Sequence, residues 1–137
     1  MATRTSNPVS RRKIKTGVIG AVTTLTAATS GTSYDLTTAG TDGAAVTLPA
    51  LEAGLNFRFV VGSAFATTNW TVVSTTNVIN GNVLVAGAHV AGASENTISF
   101  VASAESVGDW VDLYCNGTLW FAKGSGVTTG SITFTAA

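Results

Sequence analysis

The chain has 137 residues, of which 10% are charged, well below the roughly 25% usual in soluble globular domains. Five of its seven basic residues, Arg4, Arg11, Arg12, Lys13 and Lys15, lie in the first sixteen positions with no carboxylate among them. Arg58 and Lys123 are the only other cations, against Asp35, Asp42, Glu52, Glu95, Glu105, Asp109 and Asp112, so formal neutrality hides a +5 segment joined to a −5 body. A uniformly basic nucleic-acid binder is excluded by that balance. An intrachain disulfide is excluded by the single Cys115.

Residues 1–16 read as an extended basic N-terminal arm, with Pro8 arguing against a helix and Gly17 closing the segment. Residues 17–137 read as one domain, long enough to bury a core without a covalent staple. The weakly polar stretch 17–28 is the longest in the chain. Thr23, Thr24 and Thr26 interrupt it, and it falls short of the roughly 20 residues of a spanning helix, so no membrane span is expected. A secretory leader is the competing reading of this region, because Arg11, Arg12, Lys13 and Lys15 precede the stretch and Ala27 and Ala28 end it. The diluting threonines argue against it.

From Gly17 onward, short apolar or alternating runs bounded by Gly, Asn, Asp and Ser predict strands. They cover 18–25, 45–48, 56–61, 70–73, 82–85, 97–101, 110–115, 119–122 and 131–135. No segment combines a 3.6-residue period with strong helix formers, so the fold expected is an all-β sandwich or barrel. Pro49 and Gly54 predict a corner between two strands. Arg58, between Phe57 and Phe59, is expected on the face opposite to theirs, solvated or meeting an acidic group. The Gly- and Ala-rich run 85–93, which holds His89, reads as a loop.

The clearest local signal is Asn116-Gly117 between two strand-like runs, the pair favoured by a two-residue type I′ hairpin. That register sets Tyr114 opposite Leu119 and Leu113 opposite Trp120. Val111, Leu113, Cys115, Trp120 and Ala122 then share one face, and Trp110, Asp112, Tyr114, Leu119 and Phe121 the other. Large apolar groups on both faces mark Trp110, Tyr114, Leu119 and Phe121 as a candidate oligomer interface.

Chemistry is hard to assemble from these residues. His89 has no accompanying nucleophile elbow. Asp109 and Asp112, three apart on a strand, fall on opposite faces, so no metal site is expected and Asp109 reads as a turn residue bonding the backbone at strand entry. No phosphate-binding loop occurs, and neither catalytic residue nor cofactor is expected. Asn69 and Asn116 match the glycosylation acceptor pattern, read as chance in a Thr-rich chain. The arm suits phosphates, but the acidic body argues against nucleic acid as the partner.

From about Leu48 onward the order of motifs resembles small β-structured virion proteins of tailed bacteriophages, several of them capsid decoration (cement) proteins. It is carried by Thr47-Leu-Pro-Ala50, Ala53-Gly-Leu-Asn-Phe-Arg-Phe-Val-Val61, Asn69-Trp-Thr-Val-Val73, Ile79-Asn-Gly81, Thr97-Ile-Ser-Phe100, Gly108-Asp-Trp-Val-Asp-Leu113, Asn116-Gly-Thr-Leu-Trp-Phe121 and Ser131-Ile-Thr-Phe134. The resemblance covers roughly two thirds of the chain. It implies a trimeric β-sandwich or jelly-roll-like module on the outer capsid surface, bound to the major capsid protein and stabilising the shell without catalysis. Related β-modules of tail fibres and spikes give the alternative expectation, a receptor- or glycan-binding module. The basic residues Arg4, Arg11, Arg12, Lys13 and Lys15 lie outside the shared pattern. Charge alone assigns them to the capsid contact.

Overall fold

The computed structural model describes residues 13–38 and 42–137. They form twelve strands: β1 (Lys15–Ile19), β2 (Thr23–Thr24), β3 (Thr32–Leu36), β4 (Ala45–Thr47), β5 (Asn56–Val61), β6 (Trp70–Val73), β7 (Ile79–Val85), β8 (Ala88–Glu95), β9 (Thr97–Phe100), β10 (Trp110–Cys115), β11 (Trp120–Gly126) and β12 (Ile132–Thr135). A single 3-10 turn over Ala27–Thr29 is the helical content of the described residues. The all-β sandwich expected from the strand-like runs is the observed fold. Its two mixed sheets run β1-β3-β5-β10-β11-β7-β8 and β12-β9-β6-β4-β2.

The first six strands alternate between the sheets. Each crossing brings the chain back beside the strand it left two elements earlier, so β1, β3 and β5 pair in parallel, as do β2, β4 and β6. The second half supplies antiparallel partners, β5 with β10, β10 with β11, and β9 with both β6 and β12. Within the second half, β11 pairs in parallel with β7, and β7 antiparallel with β8.

Period-two alternation builds one core between the sheets. Tyr34 and Leu36 of β3, Phe57 and Phe59 of β5, Leu113 of β10 and Trp120 of β11 turn inward from one side. Val46, Trp70, Val72, Ile98, Phe100 and Ile132 meet them from the other. At one flank the sheets close where Gly92 of β8 approaches Phe134 of β12 so nearly that a Cβ there would lie 2.5 Å from the ring. At the opposite flank β1 and β2 are the outermost strands.

Several sequence expectations are corrected. The run 18–25 is not one strand: β1 begins earlier, at Lys15, and the chain changes sheets before β2. The stretch weighed as a leader is therefore built into both sheets. β3 was not expected, although Thr32, Tyr34 and Leu36 are buried in alternation with Ser33 and Asp35. The presumed loop at 85–93 is a β-hairpin instead. Ala86 (φ 50°) and Gly87 (φ 81°) occupy the left-handed positions of a two-residue turn between β7 and β8.

The 116–119 connection, by contrast, is longer than the two-residue turn that Asn116-Gly117 predicts. Asn116 turns its Oδ1 back to accept the backbone N–H groups of Thr118 and Leu119 at 3.0 and 2.9 Å, and such an Asx-type arrangement competes with the type I′ turn. Cys115 therefore pairs with Trp120 and Tyr114 with Phe121. The slip is two residues, so the division of the hairpin into faces survives.

Candidate functional site

The outward face of the seven-stranded sheet carries three cross-strand rows. The register aligns Ser33, Arg58, Asp112, Lys123 and Asn82 in the middle row. Asn56, Tyr114, Phe121 and Asn80 form one flanking row, and Asp35, Val60, Trp110, Ser125 and Leu84 the other. β10 and β11 contribute most of the large side chains. Their alternation buries Leu113, Cys115, Trp120 and Ala122, so it must turn Trp110, Tyr114 and Phe121 outward.

Arg58 anchors the middle row. Its Nε and Nη2 donate to the two carboxylate oxygens of Asp112 at 2.5 and 2.8 Å, the fork-to-fork geometry that fixes a guanidinium plane. The same guanidinium lies 4.7 Å from the Trp110 ring centroid, a cation–π distance. Its hydrogen bond to Asp112, aided by the attraction of that charge and opposed by partial burial, raises its pKa above the ordinary value. Of the two environments weighed for Arg58, it occupies the one with an acidic partner.

Beside this pair, Tyr114 and Phe121 are 51% and 40% exposed. Their rings are 6.3 Å apart and inclined by 19°, a stacked cross-strand pair. The two rings, Arg58, Asp112, Asn56 and Lys123 belong to the lining of an open groove of about 540 Å³, which Ile14 borders from the N-terminal side. That volume is within the usual range for small-ligand clefts.

The sequence-predicted residues are only partly united. Arg4, Arg11 and Arg12 lie outside the described residues. Lys13 and Lys15 flank Ile14 in the chain, and the Lys15 Nζ approaches the Ala28 carbonyl oxygen at 3.5 Å. Of the candidate oligomer interface, Trp110, Tyr114 and Phe121 share the outer face, with Trp110 half-buried beneath Arg58. Leu119 does not join their ladder; it lies in the 116–119 loop, because the longer turn makes Phe121 the partner of Tyr114.

The remaining polar candidates have structural contacts. Asp109 is buried and accepts the N–H groups of Ser106 and Val127 at 3.0 and 3.2 Å, the role expected of a turn residue at strand entry. Glu105 Oε1 accepts Phe65 N–H at 2.9 Å. Asn69 Oδ1 accepts Ala102 N–H at 2.8 Å. Cys115 is buried in the core, and His89 is exposed on β8. Among the described residues no group of three or more His, Cys, Asp or Glu is arranged to hold a metal ion.

Sequence reading missed Ile14, Asn56 and Lys123 as members of one site. Alternation within β5 and β11 puts Asn56 beside Arg58 and Phe121 beside Lys123. The Asn116-Gly117 signal already joins β10 to β11; what the sequence lacks is a signal that β5 is the other neighbour of β10. No protein-family model matches the chain, no curated protein matches it in sequence, and no solved structure matches it in fold.

Proposed function

We propose that the chain is a structural virion protein that seats as a trimer on the outer surface of a tailed-phage capsid, contacts the major capsid protein and stabilises the shell. The observation that supports this reading is the open edge at β1. Ile14 before β1, Val18 on it and Val22 just beyond it are 73%, 70% and 76% exposed, where the +5 segment ends, and among the described residues β1 has a partner on one side only, β3. An exposed edge strand presents unpaired backbone groups to which another chain can add. A cationic segment running into such an edge makes one continuous attachment element, which the β1 to β3 pairing fixes to the rigid body.

The mechanism is linkage. A subunit that binds only the assembled shell stabilises it by an amount set by affinity and free concentration. Three arms on one trimer turn a weak electrostatic contact into avid binding. No chemistry is required of the body: Asp109 and Glu105 hold backbone N–H groups, and Asp112 is held by Arg58.

The test is cosedimentation of the purified full chain with expanded capsids of its phage that lack the protein. Binding is expected to saturate at a multiple of three copies. Replacing Arg11, Arg12, Lys13 and Lys15 with Ser is expected to weaken binding and flatten its dependence on salt. A parent chain that does not bind capsids would overturn the reading. A variant with undiminished affinity and an unchanged salt slope would remove the arm from it.

A further inference from the structure

We infer that the groove on the outer sheet face is a binding site for an acidic hexopyranose, a hexuronate unit of a surface polysaccharide. The inference is independent of capsid attachment. It rests on a convergence invisible in the sequence: Arg58 and Lys123, two of the four basic residues among those described, both line the groove although they are far apart in the chain. The body is otherwise acidic, yet the one carboxylate lining the groove, Asp112, is already held by Arg58. The excess charge at this place is positive, and an anionic ligand complements it.

The shape and chemistry of the lining narrow the class. A hexopyranose has an apolar C–H face and a rim of hydroxyls. Tyr114 and Phe121 offer exposed apolar ring surface to the first. For the second there are the Asn56 amide, whose Nδ2 donates one hydrogen bond to the Gly54 carbonyl oxygen at 3.2 Å and keeps its second hydrogen, and the Arg58 Nη1 hydrogens, which have no acceptor among the described residues, since Asp112 occupies Nε and Nη2. Lys123 stands next to Asp112 across the ladder with no carboxylate in ion-pairing range among the described residues, so its ammonium is available to the ligand carboxylate. Asp112 and Trp110 hold Arg58 in place before any ligand arrives, which lowers the ordering cost of binding.

Two other occupants fit less well. An extended peptide would bind by adding a strand, but β10 and β11 are interior strands whose backbone groups are already paired. A nucleic-acid strand needs cations along its whole track. Here the outward rows beyond the groove hold Asp35, Asn80, Asn82 and Leu84 and no further described cation.

Titration calorimetry on the purified full chain tests the assignment, with trigalacturonate as probe, maltotriose as its neutral counterpart and a short oligothymidylate as the competing polyanion. Saturable binding of trigalacturonate is expected, and weaker binding of maltotriose. Tyr114→Ala and Phe121→Ser, both at exposed positions, are each expected to weaken trigalacturonate by about tenfold or more while leaving the melting transition in place. Lys123→Gln is expected to reduce trigalacturonate to the level of maltotriose. The inference is overturned by absence of saturable trigalacturonate binding, by equal affinity in Tyr114→Ala and Phe121→Ser, or by tighter binding of oligothymidylate. It is equally overturned if Tyr114→Ala abolishes self-association of a chain that binds no sugar, because the face would then be an interface between copies.

Discussion

Gly81 has the strictest steric requirement among the described glycines. Its φ is 144°, and a Cβ there would lie 2.1 Å from the Ala122 carbonyl oxygen on the neighbouring strand β11, where backbone rather than a yielding side chain blocks it. Gly81→Ala is therefore expected to cost about 3 kcal/mol or more, read as a lower urea midpoint, and a loss under about 1 kcal/mol would contradict this packing. The Arg58 to Asp112 pair contributes far less to stability despite its geometry. Its side chains are 46% and 42% exposed, so solvent screening limits the coupling to about 0.5 kcal/mol, measurable in a double-mutant cycle with Arg58→Met and Asp112→Asn. Because the pKa of Arg58 is raised in the fold, what its titration contributes is complete below the ordinary arginine value and is lost only as pH rises through the still higher folded one. Arginine titration thus gives stability no slope between acid and neutral pH. The pair's value is positional, since it fixes the donors of the groove.

The two hairpin turns reverse the ranking that their sequences suggest. Asn116-Gly117 carries the stronger two-residue signal, yet the Asn116 side chain bonds the backbone two and three residues on, and the loop lengthens to fit it. Ala86-Gly87 carries a weak signal, yet it makes the two-residue turn, because β7 and β8 must pair while Val83 and Val85 stay buried. Ala86 consequently bears a positive φ of 50°, a strain that Asn tolerates better. Ala86→Asn is expected to stabilise the protein by about 0.5 kcal/mol and Asn116→Ala to destabilise it by about 1 kcal/mol; denaturant midpoints moving in the opposite directions would reject these turn assignments. At the N-terminus, Lys15 and Thr16 are residues of β1. A deletion meant to remove only the arm should therefore stop before Lys15, since removing 1–16 also shortens the edge strand.

The alternation of β1 to β6 between two sheets has a kinetic consequence. None of those strands pairs with its predecessor, and each parallel partner is reached only after a complete excursion through the opposite sheet. Loop closure must be paid for before such contacts form, so refolding is expected on a timescale of milliseconds to seconds or longer. Stopped-flow tryptophan fluorescence can follow it, because Trp70 and Trp120 are fully buried on opposite sides of the core. Complete refolding within microseconds would be incompatible with this topology. The same winding assembles the groove: Asn56 and Arg58, then Asp112 and Tyr114, then Phe121 and Lys123 arrive on three strands, and Ile14 arrives from the start of the chain.

Strand character and face are local properties, and the chain states them plainly. Alternation at Phe57 and Phe59 around Arg58, and at Leu113 and Cys115 around Tyr114, settles which side chains enter the core, because a pleated strand has a period of two wherever it lies. Scarce helix formers make the fold all-β for the same reason. Strand neighbours are another matter. Whether β10 lies between β5 and β11, and whether β1 pairs with β3 across an intervening sheet crossing, depends on burying all inward faces in one core at once. A cation at 58 and another at 123 are therefore unrelated along the chain. Packing makes them two sides of one groove.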